Sequence, residues 1–330
     1  MSAAVSVGRG AVRAHVVRAH AVLRVEAAED GSARVVEARS AVPLVLRHTG
    51  TAAAAEPSSP PPGTARRLAD LIPPALPTVT VHLVGAAAGP LAGDQLRLDI
   101  SVGTGVRLEL RSVAATLVMP GHGPGPSVLE IHADVAAGGA LDLLPEPTVA
   151  VRGCRHRMVG RAVVAAGGWL RWREEILLGR FGEPPGHVET DLRVDIRTPV
   201  GDRALLRQQL PLGPDVPGLT GAALIGSARA VGSLLVAAPA AIAGSAGTLG
   251  NFGNPGNFGN PGGFGNPESG DFGPAGLGVS ASVTPAPVPG DGRVPGGAVV
   301  LPLAGPGVLV TALAGDAVTL RRHLDLGASG

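Results

Sequence analysis

Lysine and tyrosine are absent from this chain of 330 residues, and cysteine occurs once, as Cys154. All 27 basic residues are therefore arginine. A P-loop needs a lysine to reach the β- and γ-phosphates, and Schiff-base chemistry needs a lysine amine, so both are excluded. The lone cysteine forbids an intrachain disulfide and every CxxC zinc arrangement, which suits a reducing compartment. Aromatic residues make up 2% and leave few stacking platforms for single strands. A formal net charge of +1 supplies no basic field for nucleic acid. No uninterrupted apolar core follows Arg9, Arg13 and Arg18, so the N-terminus does not read as a signal peptide. The uncharged stretch 230–250 is built of Ala, Gly and Ser around Pro239, too weakly apolar to be expected to span a bilayer. A cytoplasmic chain with no membrane span and no nucleic-acid partner is expected.

Apolar residues reach 45%, enough for a core. Glycine (50) and proline (31) are too many for a helical bundle, because each disfavours helix interiors. Strict alternation is the main local signal. Leu96, Leu98, Ile100 and Val102 face one way, and Gln95, Arg97, Asp99 and Ser101 the other. Val106 to Arg111 repeats the pattern after Gly103-Thr104-Gly105, and the two runs read as a hairpin. Val79 to Leu83, Leu129 to Val135 and Val188 to Arg197 alternate likewise. With no long helix between them, these runs predict layered antiparallel β-sheets and a mostly β fold with a few short helices. One helix is expected over Ala317 to Leu326, with Asp316 as N-cap and Gly327 just past its end. A second is expected within Gly221 to Ala238, stopped by Pro239. Two segments read as insertions: EPSSPPPG at 56–63, and the repeats NFGNPG, NFGNPG and GFGNPE at 251–268. The expected organisation is a single β-rich domain over 1–245 and 290–330, with a low-complexity, flexible insertion over 246–289.

No motif assembles a catalytic centre. Cys154 and His156 stand two apart, but the other histidines are scattered and neither HExxH nor GxSxG occurs. Glu174 and Glu175 would point to opposite faces of a strand, whereas Glu174 and Arg180 share parity and read as a charge pair in an apolar run.

The stretches RSAVPLVLR at 39–47, VHLVGAAAGPLAGD at 81–94, LLPEPTV at 143–149 and EEILLGR at 174–180, in that order, resemble the UreD (UreH) family of urease accessory proteins. Arg39 to Arg47 is similar to its early strand, and Val81 to Asp94 to its Gly-rich turn ending in Gly-Asp. Leu143 to Val149 resembles its LPQE strand entry, and Glu174 to Arg180 its ExxxxGR run, followed by Gly182-Glu183. Val113 to Pro120 (VAATLVMP) departs from the family pattern, as does the GASG ending. The resemblance implies a non-enzymatic β scaffold that bridges apo-urease and the UreF/UreG complex and assists nickel insertion. It implies no permanently bound cofactor, with nickel in transit at most. Asp94, Glu174 and Arg180 are the candidate polar groups of a nickel passage by that resemblance, with Glu146 and Glu183 after them. No catalytic residue is expected. The alternatives are a structural or interaction protein defined by the Gly/Asn/Phe repeats, and a hydrolase using Cys154 or the Glu174 region. A scaffold of this kind is expected to expose apolar patches for partners, in keeping with a mean hydropathy of +0.29.

Overall fold

A computed structural model describes residues 16–54, 76–238, 293–294 and 297–327. Both expected insertions, 56–63 and 246–289, lie outside the described residues. In chain order the first strands are β1 (Arg18–Ala27), β2 (Ala33–Arg39), β3 (Leu44–Ala52), β4 (Thr78–Gly85), β5 (Gln95–Val102) and β6 (Arg107–Ser112). There follow β7 (Thr116–Val118), β8 (Ser127–Val135), β9 (Ala140–Leu144), β10 (Thr148–Ala150), β11 (Arg155–Ala165) and β12 (Trp169–Leu177). The last are β13 (His187–Thr198), β14 (Gly201–Leu212), β15 (Ala230–Ala237), β16 (Arg293–Val294), β17 (Ala298–Pro302) and β18 (Gly307–Ala314), before helix α1 (Ala317–Gly327).

The strands form two facing sheets. A seven-stranded sheet runs β14-β13-β11-β8-β5-β1-β2, and an eleven-stranded sheet runs β16-β17-β18-β15-β12-β9-β6-β4-β3, with β10 and β7 joined to it beside β12. From β4 to β13, the short β7 and β10 aside, the chain alternates between the sheets, and from β6 on each strand lies beside and parallel to the preceding strand of its own sheet. This is a solenoid-like coil of mixed pairing, not the purely antiparallel layering that the strand spacing suggests. The crossover that a parallel pair requires is supplied here by a strand of the opposite sheet, with no helix. Alternation cannot distinguish the two cases, because each sheet keeps one face wet and one in the core. The expected hairpin of β5 and β6 is corrected for the same reason: β5 pairs with β1 and β8, while β6 pairs with β4 and β9 in the other sheet.

Successive turns stack on one another. Gly105 N–H donates to Gly138 O (3.1 Å), and Gly138 N–H to Gly167 O (3.0 Å). A Cβ on Gly139 would stand 2.4 Å from Gly103 O, so the turns approach as closely as they do only because no side chain intervenes. Antiparallel strands close both ends of the coil: β2 against β1 and β3 against β4 at one, β14 against β13 and β15 against β12 at the other.

The core lies between the sheets. Leu23, Leu98, Ile100, Leu108, Leu110, Leu141, Leu170, Leu192 and Leu235 are fully or almost fully buried there. Each such side chain contributes roughly 1.5–3 kcal/mol relative to exposure. A second cluster covers the outer face of the long sheet, where Leu320 and Leu324 of α1 pack with Ala230, Leu234 and Val310. That is why β15 is buried along its whole length. Asp316 caps α1 as expected, its Oδ1 accepting from the Thr319 N–H at 2.9 Å. The second expected helix is not formed. Residues 219–227 are a chain of turns and 230–237 is β15, because Ala and Leu there alternate between two buried faces.

Candidate functional site

At the β12–β18 end polar side chains enter the otherwise apolar space between the sheets. A cavity of about 330 Å³ is lined by Glu174 and Ile176 of β12, Ser233 of β15, Thr311 of β18, and Thr190 and Gln208 of the facing sheet, among others. Register explains the convergence. Glu174 lies opposite Ser233, and Ser233 opposite Thr311, so three oxygen-bearing side chains form a row across adjacent strands. Neighbouring strands stand about 4.8 Å apart, which spaces the row.

Glu174 is buried, and its hydrogen bond comes from Trp172 Nε1 at 3.2 Å. No cationic side chain pairs with it among the described residues. Burial disfavours its charged form and pushes its pKa up to about 7, against a smaller opposing effect of the Trp172 bond. Near neutral pH the group is thus poised between acid and carboxylate. Oxygen ligands of this kind suit a hard or borderline divalent ion that must be released again. Among the described residues no group of three or more His, Cys, Asp or Glu is gathered as a metal cage.

Glu175, the next residue, faces the opposite way and is handled differently. Arg321 of α1 donates to it through Nε (3.1 Å) and through a terminal nitrogen (2.5 Å). The same guanidinium donates to both oxygens of Glu146 at 3.0 and 3.1 Å. Arg173 approaches Glu175 at 3.6 Å and donates to the carbonyls of Leu144 and Pro145. Its Nε is buried without a hydrogen-bond partner among the described residues. One strand over, fully buried Asp142 is gripped by Arg107 and Arg171, the latter through Nε at 2.6 Å.

The remaining sequence candidates are dispersed. Asp94 is buried, its Oδ1 accepting from Val17 N–H (2.8 Å) and its Oδ2 from Leu91 N–H (2.9 Å), so it fastens the turn that enters β5. Glu146 lies on the outer face under α1. Arg180 does not pair with Glu174. The strand ends at Leu177, the chain turns, and Arg180 instead meets Glu183 at 2.9 Å on the surface. Two guanidinium bonds and two backbone donors hold the Glu183 carboxyl down at about 2. Of the five candidates, only Glu174 is among the residues lining the cavity. Ser233, Thr311, Thr190 and Gln208 escaped the sequence reading, since hydroxyl and amide groups within apolar strands carry no motif. Cys154 and His156 do not form a nucleophilic pair. Cys154 is buried against the backbone of His187, and burial pushes its thiol up to about 11. His156 instead contacts Ser127 Oγ at 2.9 Å.

Fold and site together define a two-sheet β scaffold with a mostly apolar cavity between its sheets, crossed by a row of oxygen-bearing side chains, and charge clamps outside. The model of the UreD urease accessory protein family matches residues 17–327. The chain is 49% identical over 320 residues to the urease accessory protein UreD of Frankia casuarinae, covering 94% of this chain and 88% of that protein. It is 48% identical over 323 residues to the UreD of Frankia alni, covering 93% and 91%. The urease accessory protein UreD 3 of Streptomyces griseus subsp. griseus is 36% identical over 313 residues, with 94% and 95% covered. This chain belongs to the UreD family of urease accessory proteins. Among the described residues no helix is long and apolar enough to cross a membrane.

Proposed function

We propose that this chain is a urease maturation scaffold that acts in the cytoplasm, bridges apo-urease and the UreF/UreG complex, and assists nickel insertion without catalysing a reaction. Nickel is cargo here, with no resident cofactor. The observation that carries the reading is Glu174: a buried carboxyl with no cationic partner among the described residues, at the head of a row of hydroxyls in a cavity between the sheets. Buried Glu175 and Asp142 receive arginines, and buried Asp94 accepts two backbone N–H groups. A buried acid left without partners of this kind costs stability, and such groups cluster at functional sites. Asp94, Glu146, Arg180 and Glu183 support the reading less directly, as residues that shape the turns and clamps around the cavity-bearing end or the entry to β5. A protein defined by the Gly/Asn/Phe repeats is the less favoured reading, because family membership spans the chain on both sides of them.

The test is the nickel content of urease purified from cells lacking this gene and complemented with wild type or Glu174→Gln. Wild type should restore nickel to urease. Glu174→Gln should leave it near the deletion level while still co-purifying with the accessory proteins. Fully nickel-loaded urease in the uncomplemented deletion would overturn the maturation role, and full loading by Glu174→Gln would overturn the part given to the cavity.

A further inference from the structure

A different feature, separate from the cavity, concerns the loop between β12 and β13. Phe181 is the only phenylalanine outside the Asn/Gly/Pro tract of 246–289, and its side chain stands wholly in solvent. A single exposed apolar side chain is ordinary by itself, so what sets Phe181 apart is how it is held. The loop that carries it is braced, unlike a typical exposed tip. Arg180 donates from its backbone N–H and its guanidinium to Glu183, and the Glu183 N–H returns a bond to Arg180 O at 3.2 Å. Arg229, the residue just before β15, reaches in and donates to the carbonyls of Leu178 (2.7 Å) and Glu183 (2.9 Å). Gly179 sits at φ +85°, where a Cβ would stand 2.8 Å from Glu183 O. Phe181 is thus held out on a rigid mount, and holding an anchor in its bound position beforehand is what makes an interface side chain effective.

The loop's own charges are paired, and arginines lie unpaired on the adjoining turn and strand. Glu183 is neutralised by Arg180 and also accepts from the Arg152 N–H at 3.3 Å, which ties the loop to the neighbouring turn. That turn exposes Arg152, and β11 after it opens on exposed Arg155; neither forms an ion pair among the described residues. The exposed carboxylate of Asp215, on the next loop, lies 3.5 Å from His187. Two free guanidinium groups beside one aromatic are too few for a nucleic-acid track, which needs a stripe of cations and successive stacking faces. They suit an aromatic anchor with an arginine rim, the pairing most enriched at protein interfaces. We infer that the Phe181 loop is a protein-docking knob: Phe181 inserts into an apolar pocket of a partner protein whose rim carries carboxylates that meet Arg152 and Arg155.

The test replaces Phe181 by p-benzoylphenylalanine in the full chain, expressed together with the urease structural and accessory genes and irradiated in cells. Val200, also exposed on the β13–β14 turn, serves as the control position. A discrete adduct from position 181, mapped to an apolar segment flanked by Asp or Glu and absent from position 200, is expected. Phe181→Ala should weaken recovery of that partner at least roughly tenfold with the melting temperature unchanged. Arg152→Glu with Arg155→Glu should weaken it further at low salt than at high salt. No discrete adduct, an adduct to nucleic acid, or undiminished recovery with Phe181→Ala would overturn the knob. An unflanked apolar target, or indifference to charge reversal, would overturn the acidic rim. The identity of the captured protein reports separately on the maturation role: a partner outside the urease machinery would count against that role while leaving the knob standing.

Discussion

The two ends of the inter-sheet core are built on different terms. At the β1–β6 end the inward side chains are Leu23, Val79, Val81, Leu98, Ile100, Leu108 and Leu110, all apolar and almost wholly buried. At the β12–β18 end the same sheets enclose Glu174, Thr190 and Ser233. Among the described residues only this second end is also covered from outside, by α1, which turns the strands beneath it into buried strands on both faces. The contrast teaches that burial alone does not decide how a carboxyl is treated. Glu174 and Glu175 are adjacent and both buried. The outward one receives Arg321 and the inward one receives a tryptophan N–H.

The largest test of this contrast lies at the apolar end. Leu98→Ala leaves a cavity among well-packed neighbours and should cost about 3 kcal/mol in a denaturant titration, with no change in urease nickel loading per folded molecule. A loss of loading out of proportion to folding would erase the distinction between the ends. Next, Arg321→Ala removes the partner of buried Glu175. It should cost about 2 kcal/mol, discounted because Arg321 is itself partly exposed, and should speed hydrogen exchange in α1 before it does so in the strands. Uniform acceleration across the sheets would mean that the clamp does not act locally.

A smaller effect concerns Glu174. Its folded pKa of about 7 lies above the unfolded value of 4.5, so between those values the unfolded chain holds fewer protons and stability falls as pH rises. Glu174→Gln should flatten that slope and gain roughly 1–2 kcal/mol at pH 8 relative to pH 5. A slope equal to that of wild type would mean the carboxyl has a partner or is hydrated. The smallest concerns His156, which burial depresses to about 4 from 6.5. The unfolded chain takes up the proton first, so stability is lost as pH falls from 6.5 toward 4, by roughly 1 kcal/mol at the start of that window. His156→Gln should remove that part of the acid sensitivity, as followed by melting temperature against pH.

Alternation located β4, β5, β6, β8 and β13 to within a residue or two, because each has one wet face and one in the core. It was silent about which strands pair. The repeat that reports the coil was present nonetheless: Ala136-Ala137-Gly138-Gly139 and Ala165-Ala166-Gly167-Gly168 occupy equivalent turns, and the Gly103 turn stacks beneath them. The mistaken helix over 221–238 has a similar cause, since a strand buried on both faces loses the alternation that marks strands. In the site, Glu174 was legible through the family-like run that begins with it. Ser233 and Thr311 were not, because their place beside Glu174 comes from register between strands distant in sequence.

The reversed strands at the ends of the coil carry one more consequence. A stack of parallel rungs offers each terminal rung as a template for another chain, and an open stack can grow end to end into fibres. Here β2 presents exposed Arg34, Glu37 and Arg39, while β14 carries exposed Asp202 and Arg203 and includes Pro211, which has no N–H to donate. Orientation, charge and a missing donor therefore make the seven-stranded sheet's two borders poor templates for a further strand.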